Sequence, residues 1–216
     1  ALRAMGQNHV ASFFQYILGV WLIVISLVVW FHRTITADNR AEKRTADDAL
    51  AAEQVSAQTM VTLAAFAAAA AGTGISQHDA FAAALSALSS VMQTKNSGGG
   101  TLDLTDPTDL AAVQSAFTTA VAAIPGVTGA QTTAITGVIG DATTAIQNVN
   151  AKIGSITNTD LSDAANGNIF GLLQVLQDQV KQAAEDETAT PGSGSIGFTN
   201  PTAVDNAATN APPTNI

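Results

Sequence analysis

Cysteine is absent from the 216-residue chain, which excludes disulfides, thiolate metal sites and cysteine nucleophiles and leaves the compartment open. Charge is also scarce, at 12% of residues, about half the usual share of a soluble domain. So little charge excludes a charge-rich disordered chain and argues against a highly soluble cytosolic enzyme. Basic residues are the rarer sign, eight Lys and Arg against seventeen Asp and Glu. The resulting net charge of −9 argues against nucleic acid as a partner. Catalytic material is thin as well. There are three histidines, no G-x-S-x-G, no S-x-x-K and no Walker A loop. The expectation is a non-enzymatic protein without a cofactor.

What is present begins with an apolar run. No charged residue interrupts Val10 to Phe31, and a helix of that length spans the roughly 30 Å hydrocarbon core of a bilayer. Six of the eleven aromatics fall in it, with Phe13, Phe14 and Tyr16 at one end and Trp30 and Phe31 at the other. Aromatic belts at two membrane interfaces have this arrangement. The run is long for a buried core helix, and no small-residue cleavage site follows it as a signal peptide would require. A first residue of Ala1 reads as a trimmed initiator Met, with the anchor kept in the mature protein.

Charge divides unevenly around this anchor. Residues 1–44 hold Arg3, Arg33, Arg40, Lys43 and Arg44 against Asp38 and Glu42, a net of +3, and the rest carries three lysines against fifteen acids, a net of −12. The positive-inside rule places the basic cluster in the cytoplasm. A body rich in Ala, Thr, Ser, Asn and Gly reads instead as a surface or secreted protein. The two readings agree if the helix leaves the membrane for a protein assembly, where the basic cluster meets acidic neighbours.

The remainder reads as all-α. Good helix formers continue from Arg33 to Ala71, so the anchor extends into a rod of roughly 90 Å at 1.5 Å per residue. Ser76 with Asp79 opens the next helix, with Phe81, Leu85, Leu88 and Met92 as its apolar face; Asn96 to Gly100 is a flexible loop. Asp106-Pro107-Thr108-Asp109 starts a third helix, carrying Val113, Phe117, Val121 and Ile124 up to Pro125-Gly126. Ile135, Ile139, Ala142, Ile146, Val149, Ile153 and Ile156 then alternate by four and three, a coiled-coil-like seam. Gly137, Gly140 and Gly154 weaken that helix unless neighbours approach closely there. A last helix starts near Asp160, carries Ile169, Leu173, Leu176, Val180 and Ala183, and frays at Glu185-Asp186-Glu187, where acids oppose the helix dipole. The expected division is 1–71 anchor and rod (span 10–31), 72–187 helical body, and 188–216 an irregular Pro/Gly/Asn/Thr-rich tail.

Individual side chains offer little chemistry. His32, beside Trp30 and Arg33, is placed where a membrane-edge histidine ligates haem or chlorophyll, but no second ligand is visible. His9 and His78 have no partner at metal-ligand spacing. Asp103, Asp106 and Asp109 crowd one loop, yet the EF-hand pattern is missing and capping accounts for two of the three. Gly72-Thr73-Gly74 follows a helix, the wrong context for phosphate. Phe66, Phe81, Phe117 and Phe170 amount to about one per helix, a core ration with no stacking surface.

Gly6-Gln7 ahead of a single hydrophobic helix, Arg33 just past it, and Thr45-Ala46-Asp47-Asp48-Ala49-Leu50-Ala51-Ala52 resemble the TadE/TadG-like pilus-associated proteins, a branch near the type IV pilins. The resemblance covers about 50 residues. The glutamate that pilins place near the start of the helix is absent, as is a D-x-S-x-S motif. It implies a structural subunit of a surface filament that polymerises with copies of itself through its N-terminal helix and meets membrane lipid before assembly. The alternative is a single-pass membrane scaffold or accessory subunit of a virion or envelope complex.

Overall fold

The structure, a computed structural model, describes residues 46–157 and 169–210, all within one unit, Thr45–Ile216. Its elements are α1 (Ala46–Gly72), α2 (Gln77–Ser97), α3 (Pro107–Ala122), α4 (Gly129–Gly154), α5 (Ile169–Ala189), a 3-10 turn (Gly197–Thr199) and α6 (Pro201–Asn210). The fold is all-helical, with no strand among the described residues. The apolar run Val10 to Phe31, the basic cluster Arg33, Arg40, Lys43 and Arg44, and Asp160 lie outside the described residues.

Helix α1 is central, touching α2, α4 and α5. From Leu63 onward it is apolar on every face, and Val61 to Phe66, Ala69 and Ala70 are all buried. A helix apolar all round belongs in a core. By length and composition α1 could also cross a membrane, from Asp48 to Gly72, and half of its 18-residue apolar stretch is buried inside the body. The stretch read as the far half of a rod is therefore built into the core of the body.

Local rules account for the helix starts. Ser76 Oγ accepts from the Asp79 amide, and Asp106 accepts from the Thr108 and Asp109 amides with Pro107 in the first turn. Thr128 opens α4 with a full capping box, its partner being Gln131. The seam of α4 is buried throughout, from Ile135 to Ile156. In α3, Val113, Phe117 and Val121 are buried, and Ile124 just past its end packs at the core's edge. Phe117 stacks on Phe66 of α1 at 5.1 Å between ring centroids.

Several expectations need correction. The buried face of α2 is Ala80, Ala83, Ala84, Ala87, Leu88 and Val91, while Phe81, Leu85 and Met92 are only partly buried at its flank. Alanines let the neighbouring backbones approach, and the larger side chains lie over the seam's edge. In α5 the inward residue is Leu172, with Leu173 half-buried. Asn96 and Ser97 belong to α2, and the loop after them is pinned through Asp103, Leu104 and Thr105. Helix α5 does not fray at its acids: Lys181 pairs with Glu185 at 3.0 Å, Gln182 Nε2 donates to Asp186 at 2.9 Å, and the helix runs to Ala189. The segment from Thr188 is not wholly irregular. Ile196, Phe198, Val204 and Ala208 are buried, and the 3-10 turn and α6 pack on α4 and α5.

Candidate functional site

Most polar side chains of the body bind its own backbone, and amide side chains form the best-defined set. Gln54 Nε2, on α1, donates to the carbonyls of Ile153 (3.1 Å) and Ile156 (2.8 Å), capping the C-terminal end of α4. One turn along, Gln58 Nε2 donates to the Asn150 carbonyl at 3.0 Å. At the other end of the pair, Gln131 Nε2 donates to the Thr73 carbonyl at 3.1 Å. These contacts fix α1 and α4 antiparallel and in one register. Between them, the fully buried Asn150 donates from Nδ2 to the Leu104 carbonyl (2.9 Å) and to Thr62 Oγ1 (3.2 Å). Its Oδ1 is buried with no hydrogen-bond partner among the described residues.

The acidic trio forms a clip. Asp109, 3% exposed, ion-pairs with Lys95 at the end of α2 and accepts from the Asp103 amide at 2.9 Å. Asp103 accepts from the Thr105 amide and hydroxyl at 2.8 and 2.7 Å. Asp106 caps α3. The Asp103 amide, then Lys95, hold the Asp109 carboxyl below the ordinary carboxylate range, and the Thr105 hydroxyl and amide do the same for Asp103. Gln147 and Asn150 tie the same loop to α4 through the carbonyls of Thr105 and Leu104. Each acid is thus explained by loop closure.

His78 Nδ1 lies 3.0 Å from Asp79 Oδ1, and Asp79 also accepts from the Ser76 hydroxyl. That bond, then His78, lowers the Asp79 pKa. This is an exposed helix cap. His9 and His32 lie outside the described residues. Gly72 ends α1 and Thr73-Gly74 form the turn after it, with Thr73 Oγ1 donating to the Ala70 carbonyl at 2.8 Å. Among the described residues no three His, Asp or Glu side chains are grouped to hold a metal ion. An open, mostly apolar groove of roughly 330 Å³ lies beside the clip, lined by Val91, Thr94, Lys95, Gly98, Gly100 and Ala112.

The threonines of α4 return their hydroxyls to their own helix: Thr132, Thr133, Thr136, Thr143 and Thr144 each donate to the carbonyl four residues back. All three lysines of the body are paired internally, with Asp109, Asp205 and Glu185. Sequence reasoning missed the amide set and the capping box. Thr128-x-x-Gln131 carries the signal for the box; nothing local marks Gln54, Gln58 or Asn150, whose partners are distant in sequence. Compared with known proteins, the chain matches no family profile, no curated protein and no solved structure.

Proposed function

We propose that the chain is a non-enzymatic structural subunit of a surface filament or pilus-like assembly, anchored in the membrane first and then polymerised with copies of itself through its N-terminal hydrophobic helix. The observation that carries this reading is the attachment of α1. The anchor sequence leads into α1, and α1 is tied to α4 by Gln54, Gln58 and Gln131 along its length. A load reaching α1 passes directly to the core of the body. The resemblance to TadE/TadG-like proteins supports the same reading, as does a polar inventory used for holding helices together.

Charge supplies the second support. With Lys95, Lys152 and Lys181 already paired, the body's lysines are committed internally. The basic cluster Arg33, Arg40, Lys43 and Arg44 is then the source of cations for the acids of neighbouring copies, which would set axial register and make assembly salt-sensitive. Negative-stain microscopy of the full chain tests this, alongside Arg40→Glu with Arg44→Glu. Filaments from the native chain that loosen or vanish in the double variant are the expected result. Discrete particles from the native chain would favour a lone membrane subunit, and normal filaments from the double variant at ordinary salt would remove the charge contact.

A further inference from the structure

We propose that the groove between α4 and α5 is a docking site for the C-terminal strap of a second copy, the strap being the segment from Ile196 to Asn210. In the closed chain this groove holds its own strap as a site for a peptide segment does. Asn148 Nδ2 donates to the carbonyls of Phe198 (2.9 Å) and Thr199 (3.0 Å), and the Phe198 amide donates to Gln179 Oε1 (3.0 Å). Ile196, Phe198 and Val204 are the buried anchors, and Lys152 pairs with Asp205 at 2.9 Å. A Cβ at Gly197 would lie 3.3 Å from Gln179 Oε1, so the main chain sits close against the groove wall.

A second set of contacts, made by the linker against the same two helices, directs the strap onto its own body. The connection contains Pro191-Gly192-Ser193-Gly194, with Gly192 at φ +85°, a conformation that favours glycine. Glu187 Oε2 accepts from the amides of Gly192 (2.8 Å) and Gly194 (3.3 Å). Gly137 leaves room for this carboxylate, since a Cβ there would lie 2.5 Å from Glu187 Oε1. The closed hinge also requires Gly194 to be bare, because a Cβ there would lie 2.6 Å from the Ala183 carbonyl oxygen. Latch and groove are therefore separate sets of residues. Opening the latch swings the strap, and every groove contact can re-form on a neighbour, which is the condition for exchange of an identical element between copies.

Concentration decides which arrangement holds. A short linker keeps the strap at an effective concentration of order millimolar at its own groove, so dilute chains stay closed. Neighbours held side by side reach comparable local concentrations; in this respect the inference rests on the assembly reading above.

Because the chain has no cysteine, single cysteines report the exchange. Full-length Lys152→Cys and full-length Asp205→Cys chains, distinguished by tag size, are mixed, concentrated and treated with a short bis-maleimide. Exchange gives mixed covalent dimers that excess synthetic peptide of residues 195–210 suppresses. Glu187→Ala, or Gly194→Ala, in the Asp205→Cys chain raises their yield several-fold. Absence of mixed dimers even with the latch variants would overturn the proposal, as would dimers that the peptide leaves unchanged. Polymerisation through the anchor is read separately, by imaging filaments of Ile23→Asp chains, so either idea can fail alone.

Discussion

Gln58 on α1 donates its side-chain amide to the backbone carbonyl of Asn150 on α4 at 3.0 Å, inside the core. The same Asn150 turns its own amide to the Leu104 carbonyl and Thr62 Oγ1. One buried residue thus joins α1, α4 and the loop before α3. Removing it by Asn150→Ala leaves the Leu104 carbonyl without that donor and is expected to cost roughly 1–3 kcal/mol. Urea unfolding of the full chain measures the cost, and faster amide exchange at residues 102–106 locates it. Unchanged exchange there would show that the loop does not depend on Asn150.

The α4 seam gives a packing prediction. Ile146 is fully buried, so Ile146→Ala is expected to cost roughly 2–5 kcal/mol as a cavity substitution. A loss below about 0.5 kcal/mol, the level usual at surfaces away from special features, would mean that the seam does not face the core.

Two glycines should behave oppositely. A methyl at Gly72 would lie 2.5 Å from the Lys181 carbonyl oxygen and 2.7 Å from Ala184 Cβ. Backbone on the far side cannot yield easily, and Gly72→Ala should cost roughly 1–3 kcal/mol. A methyl at Gly140 meets nothing within 4 Å. Gly140→Ala in the α4 interior should therefore stabilise by about 1 kcal/mol or less. Thermal midpoints moving the same way in both variants would contradict this packing.

Sequence spacing made the α4 seam readable, because large aliphatics at four-three intervals report a buried face directly. The same reasoning misplaced the face of α2. There the contact is made by Ala80, Ala83, Ala84 and Ala87, and in an alanine-rich helix the small residues carry no contrast against their neighbours. Helix α6 was lost to composition. Yet Asn200-Pro201-Thr202 repeats the grammar of Asp106-Pro107-Thr108: Asn200 Oδ1 accepts from the Thr202 amide at 3.0 Å, as Asp106 accepts from Thr108. Of the three glycines expected at close approaches, Gly137 and Gly154 meet Glu187 and Gln58, whereas Gly140 meets nothing. The amide contacts between α1 and α4 join residues about sixty to one hundred apart in sequence, beyond the reach of any local pattern.

The clip at Asp109 sets the response to acid. Its carboxyl titrates below the ordinary range because of the Asp103 amide and Lys95. A carboxyl with a depressed folded pKa stabilises the fold above its unfolded value, about 3.9. That contribution is lost as pH falls through the folded value. Asp109→Asn should lower stability at pH 7 and flatten its decline below about pH 4 relative to the native chain. Chemical unfolding across pH 2–7 checks this, and parallel profiles for the two chains would show that Asp109 does not set the acid response.

Assembly through the anchor is tested most directly by Ile23→Asp, which puts a charge in the middle of the uncharged run from Val10 to Phe31. An aspartate at the centre of an apolar span costs about 2.5–3.5 kcal/mol on insertion scales. Sedimentation and negative-stain imaging of native and Ile23→Asp full-length chains, prepared side by side, give the answer. Filaments are expected from the native chain, and only dispersed subunits, with the body still helical by circular dichroism, from the variant. Normal filaments from Ile23→Asp chains would mean that assembly does not run through this helix.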